Sequence, residues 1–254
     1  LTLNQQPADV MANVRNICTE SFEKILTEMN LSYKAFSEVT EPVAGKLPWK
    51  VNVQDFSELY KEACKAHGKV FEENYNKKLE YLSQWMKEGN GNIIESNFQL
   101  LEFVFDYIAD LSPRVIYGLI PPYYPNVSNL YLENLDSDVL SLTDRLNEFI
   151  EEEYDQTYTK EYFYTGISDL SYTSIGDGAT TLRTLEKSMP LYGGFYEIPV
   201  EAIEQISMPC MNIGPWGKDF HKLTERVSKE DLYIRTPSII NKAVSILLDN
   251  PDLE

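Results

Sequence analysis

Apolar positions recur at helical spacing over residues 7–29, where Val10, Val14, Ile17, Cys18, Phe22, Ile25 and Leu26 predict one amphipathic helix. Residues 31–48, with Gly45 and two prolines, read as irregular. Lys50–Val53 reads as a short strand, and Asp55 with Glu58 three residues on as a capping box. From Phe56 to Met86 a 3.6-residue period predicts one long helix, stopped by Gly89-Asn90-Gly91-Asn92. Ile93–Leu111 predicts a further, strongly apolar helix. The first 112 residues are therefore expected to be mostly helical.

The texture changes at Ser112-Pro113-Arg114. Val115–Ile120 is a continuous apolar run, as expected for a strand buried on both faces, and Pro121-Pro122-Tyr123-Tyr124-Pro125 ends it. Ser137–Tyr154 predicts a helix, and Tyr158–Tyr164 a strand. Residues 173–198 read as loop-rich. Val200–Gln205 suggests a short helix, and Met208–Ile213 another apolar strand. Thr236-Pro237 is expected to cap the final helix. The alternation of strand and helix predicts an α/β class with largely parallel pairing, and function in the loops beyond the strand ends.

Charge narrows the partners. The 254 residues hold 40 acidic and 22 basic side chains, a net charge of −18. Such a surface repels phosphate backbones and anionic membranes, so nucleic-acid and membrane binding are not expected. The three cysteines, Cys18, Cys64 and Cys210, form no CxxC pattern and fit a reducing, cytoplasmic setting. No apolar run of the length of a membrane span occurs. The chain opens on Leu1-Thr2-Leu3-Asn4, without an initiator Met, and reads as the inside of something larger.

The chemistry-bearing residues sit in loops. His221, one of two histidines, follows the 208–213 run and the bend Gly214-Pro215; imidazole is a zinc, manganese or cobalt ligand. A lone loop histidine is also commonly an ordinary surface residue. Glu225, four residues on, is placed to support a neighbouring group. Cys64 and His67 have a spacing that could share a metal, but the helix face explains both. Asp169 reads either as a carboxylate at a sheet edge or as a turn acid. Tyr123 and Tyr124 either line a pocket or pack a rigid loop. Glu151-Glu152-Glu153 reads as a solvated helix end. No phosphate loop, nucleophile elbow or dinucleotide fingerprint is present.

Several segments together are more specific than any one residue. The stretch Asn212–Arg226, read as NIGPWGKDFHKLTER, resembles the last metal-ligand segment of the zinc exopeptidase family that includes aminoacylases, carboxypeptidase G and succinyl-diaminopimelate desuccinylase. Within it the chain is most similar to RocB-type arginine-utilisation proteins. Residues 121–125, 166–172 and 189–192 match that subgroup in order. The resemblance is stronger over 113–254 than over 1–112.

It implies an α/β fold: the C-terminal half of a zinc-exopeptidase-like mixed sheet with flanking helices (113–254), preceded by the mostly helical end of an inserted lid (1–112). It implies a parent enzyme, a zinc-dependent hydrolase of amide bonds in amino-acid derivatives or small peptides, holding one or two zinc ions. His221 would be a metal ligand, Glu225 and Asp169 supporting residues, and Tyr123, Tyr124 and Lys218 possible pocket residues. The family's upstream His-x-Asp, bridging Asp and Glu-Glu pair are not found here, so this chain alone is expected neither to hold the zinc nor to be active. Oligomerisation through the lid is possible. The alternative is a non-catalytic amino-acid-binding homologue.

Overall fold

A computed structural model describes residues 6–40, 46–162 and 168–248. The class is mixed α/β, dominated by helix. Chain contacts divide it into two compact units, Leu1–Tyr124 with Asp177–Ala202, and Pro125–Gly176 with Ile203–Glu254.

The first unit opens with α1, Pro7–Val39, which runs ten residues beyond the expected end. Nothing in 30–39 breaks a helix, and the next proline after Pro7 is Pro42. β1 spans Val53–Asp55, later than its expected position. Asp55 then caps α2, Phe56–His67, in the predicted capping box with Glu58. The expected single helix is two: Gly68, at φ 57° and ψ −137°, separates α2 from α3, Lys69–Lys87. A side chain would be strained there, so the glycine permits the bend that the apolar period did not reveal.

α4, Ile93–Phe105, is capped by Asn92 with Glu95. It stops six residues early because the chain tightens: Tyr107 N–H donates to Val104 and Ile108 N–H to Phe105, which turns Ile108 into the core. Leu59, Phe71, Leu82, Leu100 and Val104 are the centre of that core.

β2 is only Val115–Tyr117 and is half-buried, not the fully buried six-residue strand expected. It pairs in parallel with β1, with Asp55 opposite Tyr117. Buried Arg114 fixes its start through Glu62, at 3.0 Å. Beyond Tyr117 the chain leaves the ladder because Leu119 N–H donates to Ser188 O at 2.7 Å. That oxygen lies 2.7 Å from where a Cβ on Gly118 would be, which requires glycine.

Ser188 ends α6, Gly178–Ser188, a helix within the stretch read as loop. Three threonines, at 180, 181 and 184, lower its propensity, but Thr181 and Leu185 are fully buried and packing overrides them.

In the second unit α5, Ser137–Tyr154, has the predicted ends. Its Leu142, Leu146 and Ile150 pack on Ile239, Ala243 and Ile246 of α8, Thr236–Leu248. Thr236 does not cap α8. Helix begins at Lys229 and passes through a π turn, Asp231–Arg235, directly into α8. The wider turn accommodates Pro237, which has no N–H to donate and whose ring crowds the preceding turn. α7, Val200–Gln205, is present as expected.

Two expected strands are absent. Residues 158–162 form none, and Tyr158 instead donates its hydroxyl to Asp231 at 3.3 Å; Phe163 and Tyr164 lie outside the described residues. Residues 208–213 belong to no ladder. The Asn129 side chain takes the place of a neighbouring strand: its Oδ1 accepts from Cys210 N–H at 3.0 Å and its Nδ2 donates to Cys210 O at 2.9 Å. Among the described residues the strands therefore form two two-stranded ladders rather than a larger mixed sheet.

Candidate functional site

The second ladder carries His221. β3, Gly217–Lys218, pairs antiparallel with β4, Arg226–Val227. Gly217 is needed where the strands meet, since a Cβ there would lie 2.8 Å from Arg226 O. Between the strands, Asp219 (φ 60°) and His221 (φ 59°) occupy the left-handed region. Each such residue costs about 1–3 kcal/mol and persists only where its surroundings enforce it.

Here the enforcement is visible. The Asp219 carboxylate accepts from Thr224 Oγ1 at 3.1 Å and pairs with Arg226, which also donates to Thr224 O at 3.1 Å. Lys222 N–H donates to Asp219 O, and Glu225 N–H to Lys222 O. Ser228 N–H closes the base of the hairpin on Trp216 O at 2.9 Å.

Glu225 touches His221 through the backbone: its carboxylate accepts from the His221 amide at 3.3 Å. The imidazole is left exposed and hydrogen-bonds to nothing among the described residues. It does not follow a buried strand, because 208–213 is neither buried nor laddered. Lys218 lies over the Trp216 ring, 5.3 Å from its centroid.

The other candidates lie on other segments of the chain. Ser168 caps a short 3₁₀ turn, Asp169–Tyr172, by accepting from Leu170 N–H; the Asp169 side chain, Gly166 and Ile167 lie outside the described positions. Tyr123 belongs to the first unit. It is buried, its N–H donates to the Tyr196 hydroxyl at 2.8 Å, and that hydroxyl donates back to Tyr123 O. Tyr123 is thus held against Tyr196, and Tyr124 beside it is half-buried. Among the described candidates, His221, Glu225 and Lys218 share one hairpin.

His67 is structural: its Nε2 lies 3.0 Å from Tyr107 O and its ring meets the Tyr107 ring edge-on. Burial pushes the Cys64 thiol up, against the lowering effect of its hydrogen bond with Tyr60, so it is no ready thiolate ligand. The cysteines are unpaired.

Asp219, which organises the hairpin, is not among the site residues expected from the sequence. The signal was in the sequence: an acid, a hydroxyl and an arginine at 219, 224 and 226, after a glycine.

A zinc site needs three or four ligands. Among the described residues no group of three or more His, Cys, Asp or Glu could hold a metal. The exposed imidazole fits as one donor; Asp219 and Glu225 are engaged within the hairpin. No helix among the described residues is long and apolar enough to cross a membrane.

No family model matches the chain, and no solved structure does. Two Bacillus subtilis (strain 168) proteins are similar to it. YqjN, an uncharacterized protein, is 24% identical over 249 residues, 97% of this chain and 40% of YqjN. RocB is 28% identical over 160 residues, 60% of this chain and 27% of RocB. The chain thus spans less than half the length of either relative, and the similarity supports a distant RocB-like relationship.

Proposed function

We propose that this chain supplies one face of a metal-dependent hydrolase that cleaves amide bonds of amino-acid derivatives or small peptides, with His221 as a metal ligand. The observation that carries the reading is a pairing within one loop. The His221 backbone is pinned at a costly φ by the Asp219 and Glu225 contacts, while its ring is left exposed and unengaged. The left-handed region is also occupied at Asn134 and at the helix caps Asp155 and Asp177; what sets His221 apart is the exposed, unengaged imidazole it presents. The similarity to RocB agrees with the family resemblance carried by residues 212–226.

In this reading the remaining ligands and the general base come from another part of a longer polypeptide, as do the strands that complete the sheet. Residues 1–112 are the end of an inserted lid. Zinc, when bound, supplies a Lewis acid and a water of lowered pKa. This chain's own contribution is to hold one imidazole in place, and Glu225 and Asp219 fix its position. The RocB-type resemblance supports a role in arginine catabolism, and the cysteine pattern supports a cytoplasmic setting.

The test is calorimetry with zinc on the intact protein. Tight binding that His221→Ala abolishes is expected. A non-catalytic amino-acid binder shows no such binding, and neighbouring sequence without His-x-Asp and Glu-Glu would favour it.

A further inference from the structure

Two helices packed on each other present opposite outer faces. α5 and α8 meet through Leu142, Leu146 and Ile150 on one and Ile239, Ala243 and Ile246 on the other. Away from that contact α5 exposes Asp144, Glu148, Glu151 and Glu152, at the spacing of one helix face. α8 exposes Ile240, Val244 and Leu248 at i, i+4 and i+8. Lys242 is the one charged residue among the thirteen of α8, whereas α5 carries seven in eighteen. The acids mark the outer side of α5 as a water-facing surface, while a helix apolar on two sides is one that is covered on both. Exposed apolar side chains occur elsewhere, as on α1, where Ile25, Met29 and Phe36 lie among Lys24, Glu28, Lys34 and Glu38. The row on α8 has no charges interspersed, since Lys242 lies on the other side of the helix.

The hairpin of His221 leads straight into this helix. Ser228 N–H closes the hairpin on Trp216 O, and Ser228 O accepts from Leu232 N–H, so β4 and the helix that becomes α8 are joined without a linker. The hairpin has an open apolar side of its own. The Phe220 ring lies 3.3 Å from where a Cβ on Gly217 would be, Val227 stands opposite Gly217 in the ladder, and Phe220 and Val227 are both exposed.

We propose that the Ile240, Val244 and Leu248 face of α8 docks an apolar surface of another segment of the same longer polypeptide. The proposal rests on the hydrolase reading, in which the segment that completes the ligand set also comes against the hairpin joined to α8. The chain spans less than half the length of YqjN and of RocB, so a polypeptide of their size has the residues to supply it. A second copy is the poorer occupant. Three side chains in a row fall short of the roughly 800 Å² per partner of a stable interface, and a net charge of −18 sets two copies against each other.

The test uses the intact protein. Val244→Cys and, as the control on the other side of the helix, Lys242→Cys are treated with a maleimide, and peptide mass spectrometry separates them from Cys18, Cys64 and Cys210. Both positions are exposed in this chain, so equal rates are expected if nothing covers α8. Docking predicts that Val244→Cys is labelled at least about tenfold more slowly than Lys242→Cys, and that the difference vanishes in urea. A photoreactive benzophenone side chain in place of Leu248 then identifies the cover, and cross-links to sequence outside the 254 residues are expected.

Equal labelling, cross-links confined to the 254 residues, or cross-links to a second copy overturn the proposal. Zinc content is read separately on the same samples. Zinc bound while Val244→Cys is freely labelled overturns the docking and leaves the hydrolase reading standing. Slow labelling with the expected cross-links but no zinc counts against the metal assignment and leaves the docked face standing.

Discussion

Lys187 Nζ lies 2.7 Å from Oδ2 of Asp55, a carboxylate whose side chain is 3% exposed. Asp55 ends β1 and caps α2, so one side chain closes a strand, starts a helix and ties both to α6. Burial works against its charge, but hydrogen bonds from Lys187, Ser57 and the Glu58 amide outweigh it and hold the carboxyl below its ordinary pKa. The Asp55 hydrogen bond raises Lys187 in turn, against its partial burial.

The pH dependence follows from those signs. A depressed carboxyl contributes stability that is complete above its unfolded pKa of about 3.9 and is lost as pH falls through the folded value. A raised lysine contributes stability that is complete below about 10.4 and is lost as pH rises through its folded value. Asp55→Asn keeps a capping oxygen but removes the pair. Urea unfolding at neutral pH should show a loss of about 1–2 kcal/mol, discounted because Lys187 is half-exposed. The difference from wild type should shrink toward pH 3. A difference independent of pH would show that the ion pair contributes nothing.

Gly68 separates two helices that the apolar period joins. A Cβ there meets nothing within 4 Å, so the cost of a side chain is conformational, not steric. Gly68→Ala should destabilise by about 1–3 kcal/mol, read as a lowered Tm with unchanged helix content. An unchanged Tm would mean that the backbone relaxes out of the left-handed region at little cost.

Asn129 substitutes for a strand beside Cys210. Asn129→Ala leaves one donor and one acceptor of Cys210 without partners, and should cost about 1–3 kcal/mol. Amide exchange should quicken at Cys210, within the second unit, and not around Leu59 or Leu100 in the first. Uniform quickening would contradict a local role.

The legible parts of the fold were those governed by local rules. The capping box at Asp55, the span of α5 and the stop after Lys87 all follow from neighbouring residues. What escaped depended on distant contacts. α6 forms because Thr181 and Leu185 find a core, not because its threonines favour helix. Val115–Ile120 and Met208–Ile213 are apolar enough for buried strands, but one is drawn off by Ser188 O and the other is satisfied by Asn129. Apolar composition indicates a capacity for burial, not the neighbour that realises it. The hairpin itself was not anticipated: His221 and Glu225 were singled out by type and spacing within a loop, whereas Asp219, which shapes that loop, shows its role only through Thr224 and Arg226.

The central claim is that His221 is a metal ligand on a hairpin preorganised to present it. The most direct measurement is metal content together with metal-dependent amide hydrolysis of the intact protein, for wild type and His221→Ala. Zinc is expected to be bound to the wild type, with loss of both metal and hydrolysis in the variant and no fall in Tm beyond that of an exposed-site substitution. Metal content and activity unchanged by His221→Ala would contradict it.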